Sequence, residues 1–168
     1  VGQRRHHARG SRLADPAVER EVRRIAASTG HALRIAPGAL AAFDGIATAM
    51  ASGLDRLDVF VELGAGEASA PELLFEGTAR EVGLRFSEGV NVAIAAALAG
   101  PGLDATQVRV IRPSRGTIGR TMGFTVRSRA GVFELTARPR VVPAEDIHTV
   151  AASLIAMLRR ETAGIVVG

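Results

Sequence analysis

The sequence contains no cysteine, no tryptophan, no tyrosine and no lysine. Without cysteine there can be neither disulfides nor thiolate metal ligands, and a reducing, cytoplasmic setting is expected. Without lysine, Schiff-base chemistry and lysine acid–base catalysis are excluded. Six phenylalanines are the entire aromatic complement, too few to lay out a platform for stacked bases, so nucleic acid is not an expected partner. Apolar runs are cut by glycine, proline or charge well short of the roughly 20 residues that span a bilayer, and no membrane association is expected. The basic start is followed by no apolar signal segment.

What the chain does have is enough apolar residues, 47% of 168, to bury a core. The net charge is +4, and Arg4, Arg5, Arg9 and Arg12 account for all of it within "VGQRRHHARGSRL", which carries no acid. Residues 1–13 therefore read as a basic flexible tail on an electrically neutral body.

Along the body, "ADPAVEREVRRIAASTG" predicts a helix with Asp15 as N-cap, Pro16 as first residue and Gly30 as stop. "HALRIA" is a strand candidate. Residues 37–53 predict a second helix with Leu40, Phe43, Ala47 and Met50 inward, and 54–63 a buried strand. "RFSEGVNVAIAAALAG" predicts a helix over about 90–99, closed by Gly100 and Pro101, and "TQVRVIR" another strand. Alternation at Met122, Phe124 and Val126, followed by "RAG" and "VFELTARPR", predicts a hairpin over 120–140. A long amphipathic helix over about 145–161 would bury Ile147, Val150, Ala151, Leu154, Ile155 and Leu158, and "IVV" at 165–167 could add an edge strand. The fold class is α/β (α+β), a mixed sheet with a C-terminal hairpin backed by helices.

Few motifs carry chemistry. Gly64-x-Gly66-x-x-Ser69 after a strand approaches a dinucleotide fingerprint, but Pro71 falls in the first turn of the helix that should follow, and an ordinary loop is the expected reading. His6, His7, His31 and His148 lack metal-ligand spacing, so no metal is expected. His148, in the first turn of the last helix, is an acid–base candidate or simply a surface or capping residue. Asn91, at the start of its Ala-rich helix, either satisfies orphan N–H groups or faces a ligand.

"PGALAAFDGI" (37–46), "LLFEGTARE" (73–81) and "RFSEGVNVAIAAALAGPGLDATQVRV" (85–110) resemble stretches of the C-terminal part of the aspartate dehydrogenase family, and "ADPAVER" is similar to the family's A-D-P-x-L-R segment. The resemblance implies that 14–53 is the trailing remnant of a Rossmann-type half and 54–168 an aspartate-dehydrogenase-like C-terminal domain. It implies an NAD- or NADP-dependent oxidation of L-aspartate to iminosuccinate, a homodimer, and a small amino-acid or dicarboxylate ligand. Asn91 matches the second asparagine of the family's N-V-N-V-A, which contacts the cofactor. Departures are equally visible: Gly89 replaces the first asparagine, "ELGAG" replaces R-K-P-P, and the catalytic histidine of N-x-H-E-I falls on Met122, with Arg120 at its asparagine. A thioether has no titratable proton, so Met122 cannot do acid–base work. The resemblance thus implies a truncated or divergent oxidoreductase, inactive as this chain alone, or else a non-catalytic dimerisation or ligand-binding relative.

Overall fold

The structure, a computed structural model, describes residues 10–86, 88–140, 143 and 146–164. A 3-10 turn (Gly10–Ala14) precedes α1 (Pro16–Thr29). Then follow α2 (Phe43–Ser52), β1 (Leu54–Glu62), β2 (Glu72–Thr78), α3 (Ala79–Arg85), α4 (Asn91–Ala99), β3 (Gln107–Arg112), β4 (Met122–Ser128), β5 (Gly131–Ala137) and α5 (Thr149–Thr162).

The strands form one mixed sheet in the order β2-β3-β1-β4-β5. β1 and β3 run parallel, and every other pairing is antiparallel, including the β4–β5 hairpin expected from the alternation. The period of two puts Leu57, Val59 and Val61 of β1, Val108 and Val110 of β3, and Met122, Phe124 and Val126 of β4 on one buried face. Helices α2, α3 and α4 cover that face. Each fully buried aliphatic side chain there contributes ~1.5–3 kcal/mol relative to exposure.

Helix α4 is apolar all round, the pattern of a helix buried on every side, and Val92 to Ala97 are buried. Its alanines let the helix axis lie close to the sheet. Gly100 continues that closeness: a Cβ there would stand 2.8 Å from Leu57 Cδ2 and 3.1 Å from Ile46 Cγ2. α3 begins with a complete capping box, Thr78 and Glu81 each satisfying the other's backbone N–H.

Several expectations are corrected. Residues 10–13, read as part of the flexible tail, belong to the 3-10 turn, whose Ala14 is fully buried; residues 1–9 lie outside the described residues. "HALRIA" forms no strand: Leu33 and Ile35 stay largely exposed in an extended link bracketed by Gly30 and Gly38, both at positive φ. α2 starts only at Phe43, because Ala42 takes a left-handed conformation, and it turns Ile46 and Ala49 inward while Ala47 and Met50 face out. α5 buries nothing: Leu154 is 45% exposed and Leu158 57%, so the helix presents its apolar stripe to solvent instead of backing the hairpin. The edge strand expected at 165–167 lies outside the described residues. Among the described residues no helix is long and apolar enough to cross a membrane.

Candidate functional site

One end of the sheet brings Glu62, Arg120 and the turn before Asn91 close to one another. β1 finishes at Glu62, whose carboxylate accepts the Thr121 N–H at 2.8 Å, while the Glu62 N–H donates to the Thr121 carbonyl at 2.9 Å. That pair aligns the start of β4. Beside it the turn Glu88–Gly89–Val90 leads into α4. Gly89 has φ +80, and a Cβ on it would overlap Leu63 Cδ2 and lie 3.1 Å from Arg120 Nη1. Only glycine lets Leu63 and the Arg120 guanidinium rest against this turn. Arg120 is exposed and has no hydrogen-bond or ion-pair partner among the described residues.

Asn91 is the first residue of α4 and is exposed. It does not cap its own helix: the N-cap is Val90, with no side-chain cap bond. Its Oδ1 instead accepts the Ser11 backbone N–H at 2.9 Å, 80 residues away in sequence. The carboxamide does satisfy an orphan donor, but one at the start of the 3-10 turn. Ser11 was not legible as a partner, since nothing local links the two positions.

Met122 does not join this rim. It is 7% exposed and pairs with Val61 on the helix-covered face, so its thioether sits in the core. His148 is the N-cap of α5, and its Nδ1 accepts the Val150 N–H at 3.3 Å. Among the described residues no hydrogen bond ties it to Asn91, Arg120 or Glu62.

The Gly64–Ser69 loop is clasped rather than open. Arg115 donates its backbone N–H to the Ala68 carbonyl and its Nε to the Glu67 carbonyl, both at 2.7 Å. A Cβ at Gly66 would overlap the Pro113 carbonyl oxygen. The loop then enters β2, not a helix, so no helix N-terminus faces it to cradle phosphate. The Asn91 carboxamide and the Arg120 guanidinium can each donate to a carbonyl or carboxylate oxygen, the groups that the reacting end of a nicotinamide cofactor and an amino acid carry. They offer no seat for the cofactor's pyrophosphate among the described residues.

Arg80 was also not singled out from sequence. Its guanidinium, 17% exposed, bonds Asp104 (2.6 and 2.8 Å), Glu19 (2.8 Å) and the Ala14 carbonyl (2.9 Å). This cluster pins the 3-10 turn and α1 onto α3. Burial works against ionisation of Glu19, but hydrogen bonds from Arg80 and Arg23 outweigh it and hold the carboxyl below its ordinary range. The Arg80 bond does the same for Asp104.

Away from this rim, the uncovered sheet face carries Arg56, Asp58, Glu76, Arg109, Thr125 and Arg127 around a shallow hollow of about 690 Å³. The Phe60 ring lies against Gly123, where a Cβ would stand 2.7 Å from Phe60 Cε1.

A five-stranded mixed sheet with helices on one face defines a mixed α/β class of domain. The crystal structure of aspartate dehydrogenase from Thermotoga maritima matches with a TM-score of 0.78 over 95% of this chain and 66% of that one; at 16% identity, the likeness speaks for the fold alone. L-aspartate dehydrogenase 2 of Bordetella bronchiseptica is 32% identical over 174 residues, 93% of this chain and 64% of that protein. L-aspartate dehydrogenase of Serratia proteamaculans is 30% identical over 166 residues, covering 88% and 62%. The chain thus matches less than two thirds of the length of these relatives. The family described as aspartate dehydrogenase, C-terminal, matches residues 46–161. The chain belongs to the aspartate dehydrogenase family.

Proposed function

We propose that this chain supplies the substrate-domain half of an NAD- or NADP-dependent oxidation of L-aspartate to iminosuccinate, and that its residues alone do not complete the catalytic site. The observation that carries the reading is the placement of Asn91: first in α4 and exposed, its carboxamide NH2 without a partner among the described residues, as is Arg120, whose guanidinium lies against the same turn at Gly89. A nicotinamide cofactor, when bound, takes up the hydride from the substrate's α-carbon. Asn91 would donate to its carboxamide oxygen, and Arg120 would hold a substrate carboxylate by a charge-assisted bond. Glu62 keeps Thr121 and the start of β4 in place below them. Met122, at the position the resemblance gives to the family's histidine, is buried and has no titratable proton, and the Glu62 carboxylate is engaged by the Thr121 N–H.

The buried Met122 also favours a second reading, a relative that keeps the fold for ligand binding or dimerisation without chemistry. A homodimer is proposed in either case. The mosaic of arginines and acids around Phe60 can complement itself across a two-fold axis. The cytoplasm is the proposed location.

The readings separate in a chimera joining the N-terminal third of the Bordetella relative to this chain. Aspartate-dependent reduction of NAD or NADP, lost in Asn91→Ala, is expected of the first reading. A folded chimera that binds cofactor yet never consumes aspartate would leave the second.

A further inference from the structure

We infer that the 3-10 turn at residues 10–14 is a positioning strap for Asn91: the Ser11 backbone N–H holds the carboxamide in one of its two orientations and turns its NH2 outward as the donor of the site. The inference rests on the proposed role of Asn91 and adds the device that orients it.

A backbone N–H can only donate, so the Asn91 atom 2.9 Å from it is the oxygen. A carboxamide carries its acceptor and its donor on opposite arms, so fixing the oxygen fixes the nitrogen. Released from Ser11, the group would face a broad, roughly two-fold rotor and present an acceptor to an incoming oxygen much of the time. The Nδ2 donor has no partner among the described residues.

The strap is anchored independently of Asn91. Its far end, Ala14, is fully buried, and the Ala14 carbonyl accepts from Arg80 Nη1 at 2.9 Å. Gly83 of α3 admits it closely, since a Cβ there would lie 2.5 Å from Ala14 Cβ. The first N–H groups of such a turn have no acceptor within it, and the Ser11 N–H finds one across the chain in Asn91 Oδ1. Because Ser11 acts through its backbone, Ser11→Ala keeps the bond and only Ser11→Pro removes it.

The outward NH2 suits an sp2 oxygen, whether the carboxamide oxygen of a nicotinamide or a carboxylate oxygen of an amino acid. The test is NMR titration of the ¹⁵N-labelled chain with NAD, NADP and L-aspartate in separate arms, up to about 10 mM so that a millimolar complex is populated. The Asn91 NH2 signals are followed in wild type, Ser11→Ala, Ser11→Pro, Asn91→Asp and Asn91→Ala. Wild type and Ser11→Ala should bind alike, with the Asn91 NH2 signals shifting. Ser11→Pro should bind a few-fold to about tenfold more weakly, with no further loss when combined with Asn91→Ala. Asn91→Asp keeps the acceptor for Ser11 but loses the donor. It should therefore retain slow exchange of the Ser11 amide while binding as weakly as Asn91→Ala, whereas a merely structural contact would leave its binding unchanged. A response confined to the nucleotides assigns the oxygen to the cofactor, and one confined to aspartate assigns it to the substrate; both support the strap. Wild-type binding in a folded Ser11→Pro, alongside weak binding in Asn91→Ala, would overturn the strap and leave the proposed function standing. Fast exchange of the wild-type Ser11 amide would overturn the strap without recourse to proline. An Asn91 NH2 that responds to no ligand would end the strap and the proposed role of Asn91 together.

Discussion

At the scale of single residues, Gly89 is the tightest point of the rim. Its positive φ and the overlap a Cβ would make with Leu63 leave no room for a side chain. Gly89→Ala should cost about 2–3 kcal/mol in denaturant unfolding, through strain and forced repacking. Arg80 is the second such point. Arg80→Met removes the bonds to Glu19, Asp104 and the Ala14 carbonyl, leaving Glu19 only Arg23 and Asp104 only solvent, and should cost about 1–3 kcal/mol. Both carboxyls are held below their ordinary range in the folded chain, so near pH 4 the unfolded chain binds more protons. The stabilisation is complete above about pH 5 and is lost as pH falls through the lowered folded values. Melts between pH 7 and pH 3 should therefore show a steeper acid loss in wild type than in Arg80→Met, and equal slopes would contradict the assignment. Asn91 stands out in the sequence because a short motif surrounds it, and its ligand role is a proposal. Ser11 does not, because a bond spanning 80 residues leaves no local trace and its donor is a backbone group that any residue but proline carries. The resemblance puts Met122 at the family's histidine, while its burial follows from β4's register against β1.

At the scale of elements, α4 and α5 show what periodicity does and does not say. α4 is apolar on every side, and the structure buries it. Ile94, 1% exposed, should cost about 2–5 kcal/mol on truncation to alanine. α5 has the better amphipathic stripe, yet that stripe meets solvent in this chain. A stripe records that a face is suited to burial, not what buries it. Leu154→Ala should therefore change stability by no more than about 0.5 kcal/mol, and the α5 amides should exchange far faster than those of α4, as expected of an element without buried contacts. A loss as large as that of Ile94→Ala would show that α5 is packed. The capped start of α1 and the glycine stops were readable because caps are local chemistry. "HALRIA" was misread because a β-prone hexamer becomes a strand only where a neighbour offers a ladder, and none lies beside it.

At the scale of the molecule, β1, β3 and the β4–β5 hairpin follow from the sequence, but β2 and the order β2-β3-β1-β4-β5 do not, since pairings between distant segments are settled by packing. The uncovered face of that sheet bears Arg56, Arg109 and Arg127 among Asp58, Glu76 and Thr125. Light scattering at micromolar concentration should give a dimer mass, and Arg127→Glu should shift it toward monomer by breaking the charge match; monomer mass in the wild-type chain would count against the proposed pairing. The proposal that these residues form the reacting end of an aspartate dehydrogenase without completing it has one direct assay. Purified chain is mixed with L-aspartate and NAD or NADP, and the absorbance of the reduced cofactor is followed. With no phosphate cradle among the described residues and Met122 in place of an acid–base group, a loss of ~10²–10⁴-fold from the missing group alone should leave turnover below detection. Clear aspartate-dependent turnover that disappears in Asn91→Ala would contradict the account, and would show that a complete site is built from residues assigned here only to the fold.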